Sequence, residues 1–246
     1  MHGQADYAFL HGGGQGSWVW DETIAALHLQ TDGDFGRALA LDIPGCGTKR
    51  DCPTDELDMP IIVAGLIADI EAAGLRDVIL VGHSQAGTIL PLLLEARPAL
   101  FRRAVYVSCV APLPEQTTLN WRASMPEGET ALATTAAPGS RERYHMMFCN
   151  DMAPEEARDF LDKLGSDRWP ACSYETSGWR YDHLAALPAS YVICLQDVTL
   201  LPAWQEVFAE RLRVNRTIRI DAGHQAMNTR PHALAEILRF EAAAVD

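Results

Sequence analysis

A chain of 246 residues, 48% hydrophobic and 22% charged, has the size and composition of one α/β domain with room for an insertion. No apolar run approaches the roughly 18 residues that cross a membrane, and Met1-His2-Gly3-Gln4-Ala5-Asp6 leads into a strand without the basic and apolar regions of a secretory signal, so a cytoplasmic protein is expected. A formal net charge of −13, with no Lys/Arg cluster to offset it, argues against nucleic acid and anionic membranes, leaving a small molecule as the expected partner and a homodimer as an open option.

In chain order, Tyr7-Ala8-Phe9-Leu10 reads as the first strand, followed by the loop His11-Gly12-Gly13-Gly14-Gln15-Gly16 and a helix from Trp18 to Leu29. Arg37 to Asp42 is the second strand, Pro60 to Ala73 a helix, Asp77 to Gly82 the third strand and Thr88 to Ala96 the next helix. Ala104 to Ser108, Tyr191 to Leu195 and Thr217 to Ile220 complete six strands, with helices at Pro202 to Leu212 and Pro231 to Ala243. Pro60, Pro202 and Pro231 suit first-turn positions, where a missing N–H costs nothing. This alternation predicts a mostly parallel sheet covered on both faces.

The alternation breaks once, between about Ala111 and Pro188, where two helical fragments and several loops stand in for one crossover helix. The reading is therefore a core of residues 1–110 and 189–246 with a helical cap of residues 111–188 over the C-terminal edge of the sheet, the edge where open α/β folds bind ligands. Ala131 to Gly139 reads as a small-residue loop. The cap is rich in Trp121, Met125, Tyr144, Met146, Met147, Phe148, Trp169, Tyr174 and Trp179; of these, Trp121, Phe148 and Trp179 are the expected pocket walls, against the alternative that they build the cap's own core. Six cysteines at irregular spacing, with Cys109 and Cys194 read inside buried strands, are expected to be reduced core thiols rather than disulfides or metal ligands.

The chemistry concentrates at Gly82-His83-Ser84-Gln85-Ala86, a strand, a sharp turn and a helix with serine at the apex. Such a turn exposes the hydroxyl and aims the next N–H and the helix N-terminus at one point. A serine nucleophile needs a base, and the base needs an orienting acid. His224, between the last strand and last helix, fits the base, and Asp197, just past Tyr191 to Leu195, fits the acid. The chain order Ser84, Asp197, His224 is that of the α/β-hydrolase arrangement. Gly13 and Gln85 can each offer a backbone N–H to an oxyanion. The glycine loop lacks the lysine of a phosphate loop and the chain lacks an acidic ribose-binding residue in the right place, so neither cofactor nor metal is expected. Asp221 lies too close to His224 to serve it, Ser108-Cys109-Val110-Ala111 offers no acid after the fourth strand, and His83, His11, His145 and His183 read as packing, tethering or surface residues.

These motifs resemble the α/β-hydrolase superfamily, and within it the small branch of plant-type methylesterases, of the salicylate-binding type, and hydroxynitrile lyases. The resemblance runs through His11-Gly12, Trp18-x-Trp20, Asp42-Ile43-Pro44-Gly45-Cys46-Gly47, Gly82-His83-Ser84, Gln196-Asp197 with Leu201-Pro202, and Gly223-His224, and covers nearly the whole chain apart from the cap. It implies a Ser84–His224–Asp197 triad and hydrolysis of a small, largely apolar ester through an acyl-enzyme; carbamates, lactones and activated amides run on the same groups. Ala86 departs from the usual glycine. The rivals are cyanohydrin cleavage and a non-catalytic small-ligand receptor. The cyanohydrin-cleaving relatives carry threonine at the position of Gly12 and lysine at that of Gln225, so Gly12 is expected to leave the oxyanion region open for an ester carbonyl and water.

Overall fold

The structure, a computed structural model, describes residues 5–31, 35–125, 136–137, 139–165 and 167–244. Most of the expected loop at Ala131 to Gly139 (residues 131–135 and 138) lies outside them. Six strands, β1 (Tyr7–Leu10), β2 (Ala38–Leu41), β3 (Val78–His83), β4 (Phe101–Val107), β5 (Ala189–Cys194) and β6 (Arg216–Ile220), form one sheet in the order β2-β1-β3-β4-β5-β6. Every neighbouring pair is parallel, so the sheet is wholly rather than mostly parallel. Leu10 pairs with Gly82, His83 with Val107 and Cys194 with Ile220, which brings the loops after β1, β3, β4, β5 and β6 to one edge.

The helices are α1 (Asp21–Gln30), α2 (Met59–Ala72), α3 (Leu90–Ala96), α4 (Arg141–Phe148), α5 (Pro154–Lys163), α6 (Cys172–Glu175), α7 (Pro202–Arg211), α8 (Ala226–Thr229) and α9 (Pro231–Ala243). Strand side chains alternate between faces. Ala8, Leu10 and Leu80 pack with Ile62 and Leu66 of α2, Leu93 of α3 and Phe208 of α7. Tyr7, Phe9, Ile79 and Val81 face Leu27 of α1 and Leu234 and Leu238 of α9 on the other side. Helix α2 starts where the Asp58 carboxylate accepts the Ile61 N–H at 2.8 Å, with Pro60 in its first turn. The helix expected from Thr88 begins instead at Leu90, because Ser84–Thr88 winds as a tighter 3₁₀ turn. Likewise Ser17–Trp20 is 3₁₀ and leads into α1.

The segment between β4 and β5 carries more than two helical fragments: a 3₁₀ turn at Trp121–Ser124, α4, α5, α6 and a second 3₁₀ turn at Asp182–Ala186. It is fastened to the C-terminal edge. Thr199 Oγ1 donates to Met147 O at 2.6 Å, Asn150 Nδ2 to Gln196 O at 2.8 Å, and Gly223 N to Asp151 Oδ2 at 2.8 Å. At the opposite edge Glu241, fully buried on α9, accepts from Arg103 at 2.8 Å, Arg216 at 2.7 Å and the Ser190 hydroxyl, pinning β4, β5 and β6 to the last helix. All six cysteines are free. Among the described residues no helix is long and apolar enough to cross a membrane.

Candidate active site

Ser84 follows β3 with φ 54°, a left-handed conformation that costs a non-glycine residue about 1–3 kcal/mol. The turn is held by Val110 N donating to Ser84 O at 3.0 Å and by Thr88 Oγ1 donating to Gln85 O at 2.9 Å. Three small residues make room for it. A Cβ on Gly82 would lie 2.7 Å from the Leu90 methyls, one on Gly87 would strike the Val110 carbonyl, and Ala86 is fully buried between them. Ala86 is thus accommodated because positions 82 and 87 are glycine.

The sheet edge brings together three residues far apart in sequence. His224 Nε2 lies 3.0 Å from Ser84 Oγ, and its Nδ1 lies 2.6 Å from Asp197 Oδ2. The imidazole and the carboxylate are both buried. Asp197 Oδ1 accepts the backbone N–H groups of Thr199 at 2.7 Å and Leu200 at 2.9 Å, which fixes the carboxylate plane. With Nδ1–H donated to Asp197, Nε2 can accept the Ser84 proton. Asp221 is engaged elsewhere, by Gln196 Nε2 at 2.6 Å.

Two histidines have duties beyond packing. His83 Nε2–H donates to the carbonyl of His224 at 2.9 Å and so anchors the backbone of that loop. Burial, reinforced by the neighbouring His224 ring, pushes the His83 pKa well below the ordinary histidine value, so it stays neutral. His11 Nδ1–H donates to Gly12 O at 2.9 Å while Nε2 accepts Ile43 N at 3.4 Å, tethering the glycine loop; burial lowers its pKa too, against the pull of Asp42 and Asp167. Phe148 stacks on His224 with centroids 5.5 Å apart.

A cavity of about 240 Å³ opens at Ser84, lined among others by Gly13, Gln85, Tyr144, Phe148, Tyr174 and Thr199. Gly13 and Gln85 both line this cavity, and among the described residues the N–H of Gly13 takes part in no backbone hydrogen bond. Gly12 sits against the nucleophile, since a Cβ there would lie 2.9 Å from His83 Nδ1 and 3.0 Å from Ser84 Cβ. Burial raises the Tyr174 phenol to about 12, leaving it a neutral donor on the wall. Asp167, at the cavity margin, is opposed by burial but held below the usual carboxylate range by bonds from Arg50, Trp18 and Gly47 N.

Of the expected walls, Phe148 lines this cavity and two tryptophans do not. Trp121 packs edge-on against Trp204 (5.7 Å) and Phe208 (5.3 Å) of α7, because its indole finds its apolar partners under the sheet edge. Trp179 donates Nε1 to Gln116 O at 2.8 Å and lines a separate cleft with Leu113, Pro114 and Arg211. Sequence reasoning also passed over Ser108, whose hydroxyl donates to Asp197 Oδ2 at 2.5 Å, and Asp151, which holds the His224 loop through Gly223 N. No local signal marks either, since both partners are distant in the chain.

Fold and site together define an α/β enzyme with a half-buried serine at a strand-to-helix elbow, opening onto a cavity. A family model described as "Alpha/beta hydrolase family" matches residues 8–237, and the chain belongs to that family. It is 26% identical over 263 residues to norfluorocurarine synthase 1 of Strychnos nux-vomica, covering 96% of this chain and 94% of the relative. It is 23% identical over 257 residues to methylesterase 10 of Arabidopsis thaliana, covering 96% and 91%. Among solved structures, an extracellular α/β-hydrolase of a Paenibacillus species, described as sharing structural and functional homology with tobacco salicylic acid binding protein 2, superposes with a TM-score of 0.75 at 19% identity, over 95% of this chain and 97% of that one. The chain's similarity thus runs to the plant-type methylesterase branch, and it is an esterase-type hydrolase.

Proposed function

We propose that this hydrolase cleaves a small, largely apolar ester through an acyl-enzyme on Ser84. The observation that carries the proposal is the continuous hydrogen-bonded line from Asp197 Oδ2 through His224 to Ser84 Oγ, at 2.6 and 3.0 Å. In the first step His224 Nε2 takes the Ser84 proton as Oγ attacks the ester carbonyl; Asp197 holds the imidazole in the correct tautomer and stabilises the imidazolium. The N–H groups of Gly13 and Gln85 stabilise the oxyanion, a term worth about 3–4 kcal/mol per donor in such sites. The imidazolium then protonates the leaving alcohol. Water, deprotonated by the same nitrogen, releases the acid in the second half.

Residues 111–188 serve as the cap, and its Tyr144, Met147, Phe148 and Tyr174 wall a cavity of about 240 Å³ suited to a compact substrate. Methylesterase 10 is named for methyl esters, and a methyl or other short alcohol fits the same reading here. Carbamates, lactones and activated amides use the same groups. Cyanohydrin cleavage is disfavoured because Gln225, fully buried and uncharged, cannot supply the positive charge a departing cyanide needs. A cytoplasmic location belongs to the same proposal.

The test is a turnover screen across methyl and aryl esters, carbamates and lactones of graded acyl length, with mandelonitrile included and Ser84→Ala as control. At least one ester is expected to turn over, with Ser84→Ala slower by about 10³-fold or more. Equal rates from the two proteins, or Ser84-dependent cyanide release with esters untouched, would contradict it.

A further inference from the structure

Asp197 Oδ2 receives more than the imidazole. Ser108, the first residue beyond β4, donates its hydroxyl to the same oxygen at 2.5 Å and stands 3.4 Å from His224 Nδ1. It is fully buried and adopts φ 42°. A left-handed backbone at a buried site suits glycine, and any other residue carries strain there. A buried hydroxyl without a partner carries a further cost. Serine is physically reasonable here only because its hydroxyl has an acceptor, and that acceptor is the carboxylate oxygen facing His224.

We infer that Ser108 is a positioning residue of the site, its O–H clamping Asp197 Oδ2 in line with His224 Nδ1. This rests on the serine-hydrolase reading above. Two close donors, Ser108 from the end of β4 and His224 from its loop, and a longer one, Gln205 Nε2 at 3.4 Å, converge on Oδ2, while Thr199 and Leu200 hold the other oxygen. The carboxylate therefore cannot rotate. The hydroxyl also draws charge from Oδ2, so the imidazolium is stabilised less than a bare carboxylate would stabilise it. Removing the hydroxyl leaves Oδ2 more fully charged toward the imidazolium, which is expected to move the acidic limb of the rate profile upward. The other titratable groups facing the pair are His83 on β3, Cys109 beside Ser108, Tyr191 and Cys194 on β5, and Asp151 with Arg230 before Gly223. Burial keeps His83, the two thiols and the phenol uncharged.

The place after β4 is also within reach of His224 Nδ1, so a carboxylate at position 108 can take over from Asp197. A hydroxyl that merely filled space would leave the pH profile unchanged on its removal.

The experiment measures the rate of Ser84 labelling by a fluorophosphonate against pH, with kcat and KM on an ester the parent turns over, for the parent, Ser108→Gly, Ser108→Ala, Asp197→Asn and the double variant Asp197→Asn with Ser108→Asp. Ser108→Gly relieves the backbone strain and should melt within about 4 °C of the parent or higher. It should nonetheless label and turn over about 10-fold more slowly, with KM within about 2-fold and the acidic limb about half a pH unit higher. Ser108→Ala should behave alike, and the double variant should exceed Asp197→Asn by about 10-fold or more. Folded Ser108→Gly or Ser108→Ala protein with the parent's labelling rate and acidic limb would overturn the inference while leaving the hydrolase reading intact. A parent that does not label at Ser84 would overturn both.

Discussion

At the scale of single residues, the site depends on where side chains are absent. The pentapeptide around Ser84 was legible because a strained elbow requires small residues at fixed offsets, and Gly82 and Ala86 supply them, while the need for Gly87 shows only in its contact with the Val110 carbonyl. Ser108 was not legible, because its partner Asp197 lies 89 positions away and nothing at the end of an apolar strand announces such a bond. Gly12 and Gly13 look equivalent in sequence but differ in their surroundings. A methyl on Gly12 meets Ser84 Cβ, fixed by the backbone, and His83 Nδ1, on a buried ring tied to the His224 carbonyl, whereas one on Gly13 meets only the Gln85 side chain, whose amide end is flexible. Gly12→Ala should therefore displace the nucleophile and lower kcat/KM by about 100-fold, with Gly13→Ala costing about 10-fold or less, since Gln85 can swing aside. Steady-state kinetics on both variants, with melting curves to establish folding, measures this; Gly13→Ala being the more damaged of the two would contradict it.

At the scale of elements, periodicity located all six strands and five main helices within a few residues, since each buried run needs a polar boundary to end it. The segment between β4 and β5 resisted the same reading. Its helices are short and its tryptophans answer to neighbours in other parts of the chain, Trp121 to Trp204 and Phe208, Trp179 to the Gln116 carbonyl. Composition shows that a wall residue is aromatic but does not say which aromatic is the wall. Phe148 both lines the cavity and stacks on His224, so Phe148→Ala should reorder the preference among acyl sizes and lower kcat on all of them. Trp121→Ala should instead keep the ranking and lose about 3–5 kcal/mol of stability, the usual cost of emptying a large aromatic site. Parallel substrate profiles and denaturant melts distinguish the two, and a changed ranking in Trp121→Ala would return that indole to the pocket.

At the scale of the whole molecule, the parallel sheet delivers five loops to one edge, and buried polar groups lock both edges. Glu241 with Arg103, Arg216 and Ser190 does so at one end, and the histidines do so at the other. His11 and His83 have folded pKa values pushed below the ordinary 6.5, mainly by burial. The unfolded chain therefore binds protons first as pH falls, so stability is full above about pH 6.5 and drains away below it, by up to about 1.4 kcal/mol per pH unit for each histidine. The melting temperature should fall from pH 7.5 to 5.5, and His83→Gln, which keeps a donor toward the His224 carbonyl but cannot titrate, should flatten that slope. A slope as steep in His83→Gln as in the parent would contradict this.

The proposed reaction stands on an acyl group carried by Ser84 Oγ. Mixing the protein with excess p-nitrophenyl acetate and quenching in acid within the first turnover should show a burst of nitrophenol near one equivalent. Mass spectrometry of the quenched digest should place one acetyl group on the peptide containing Ser84. A steady rate without a burst, together with no acetyl group on that peptide at any quench time, or an acetyl group carried by another residue at equal burst amplitude in Ser84→Ala, would contradict an acyl-enzyme on Ser84.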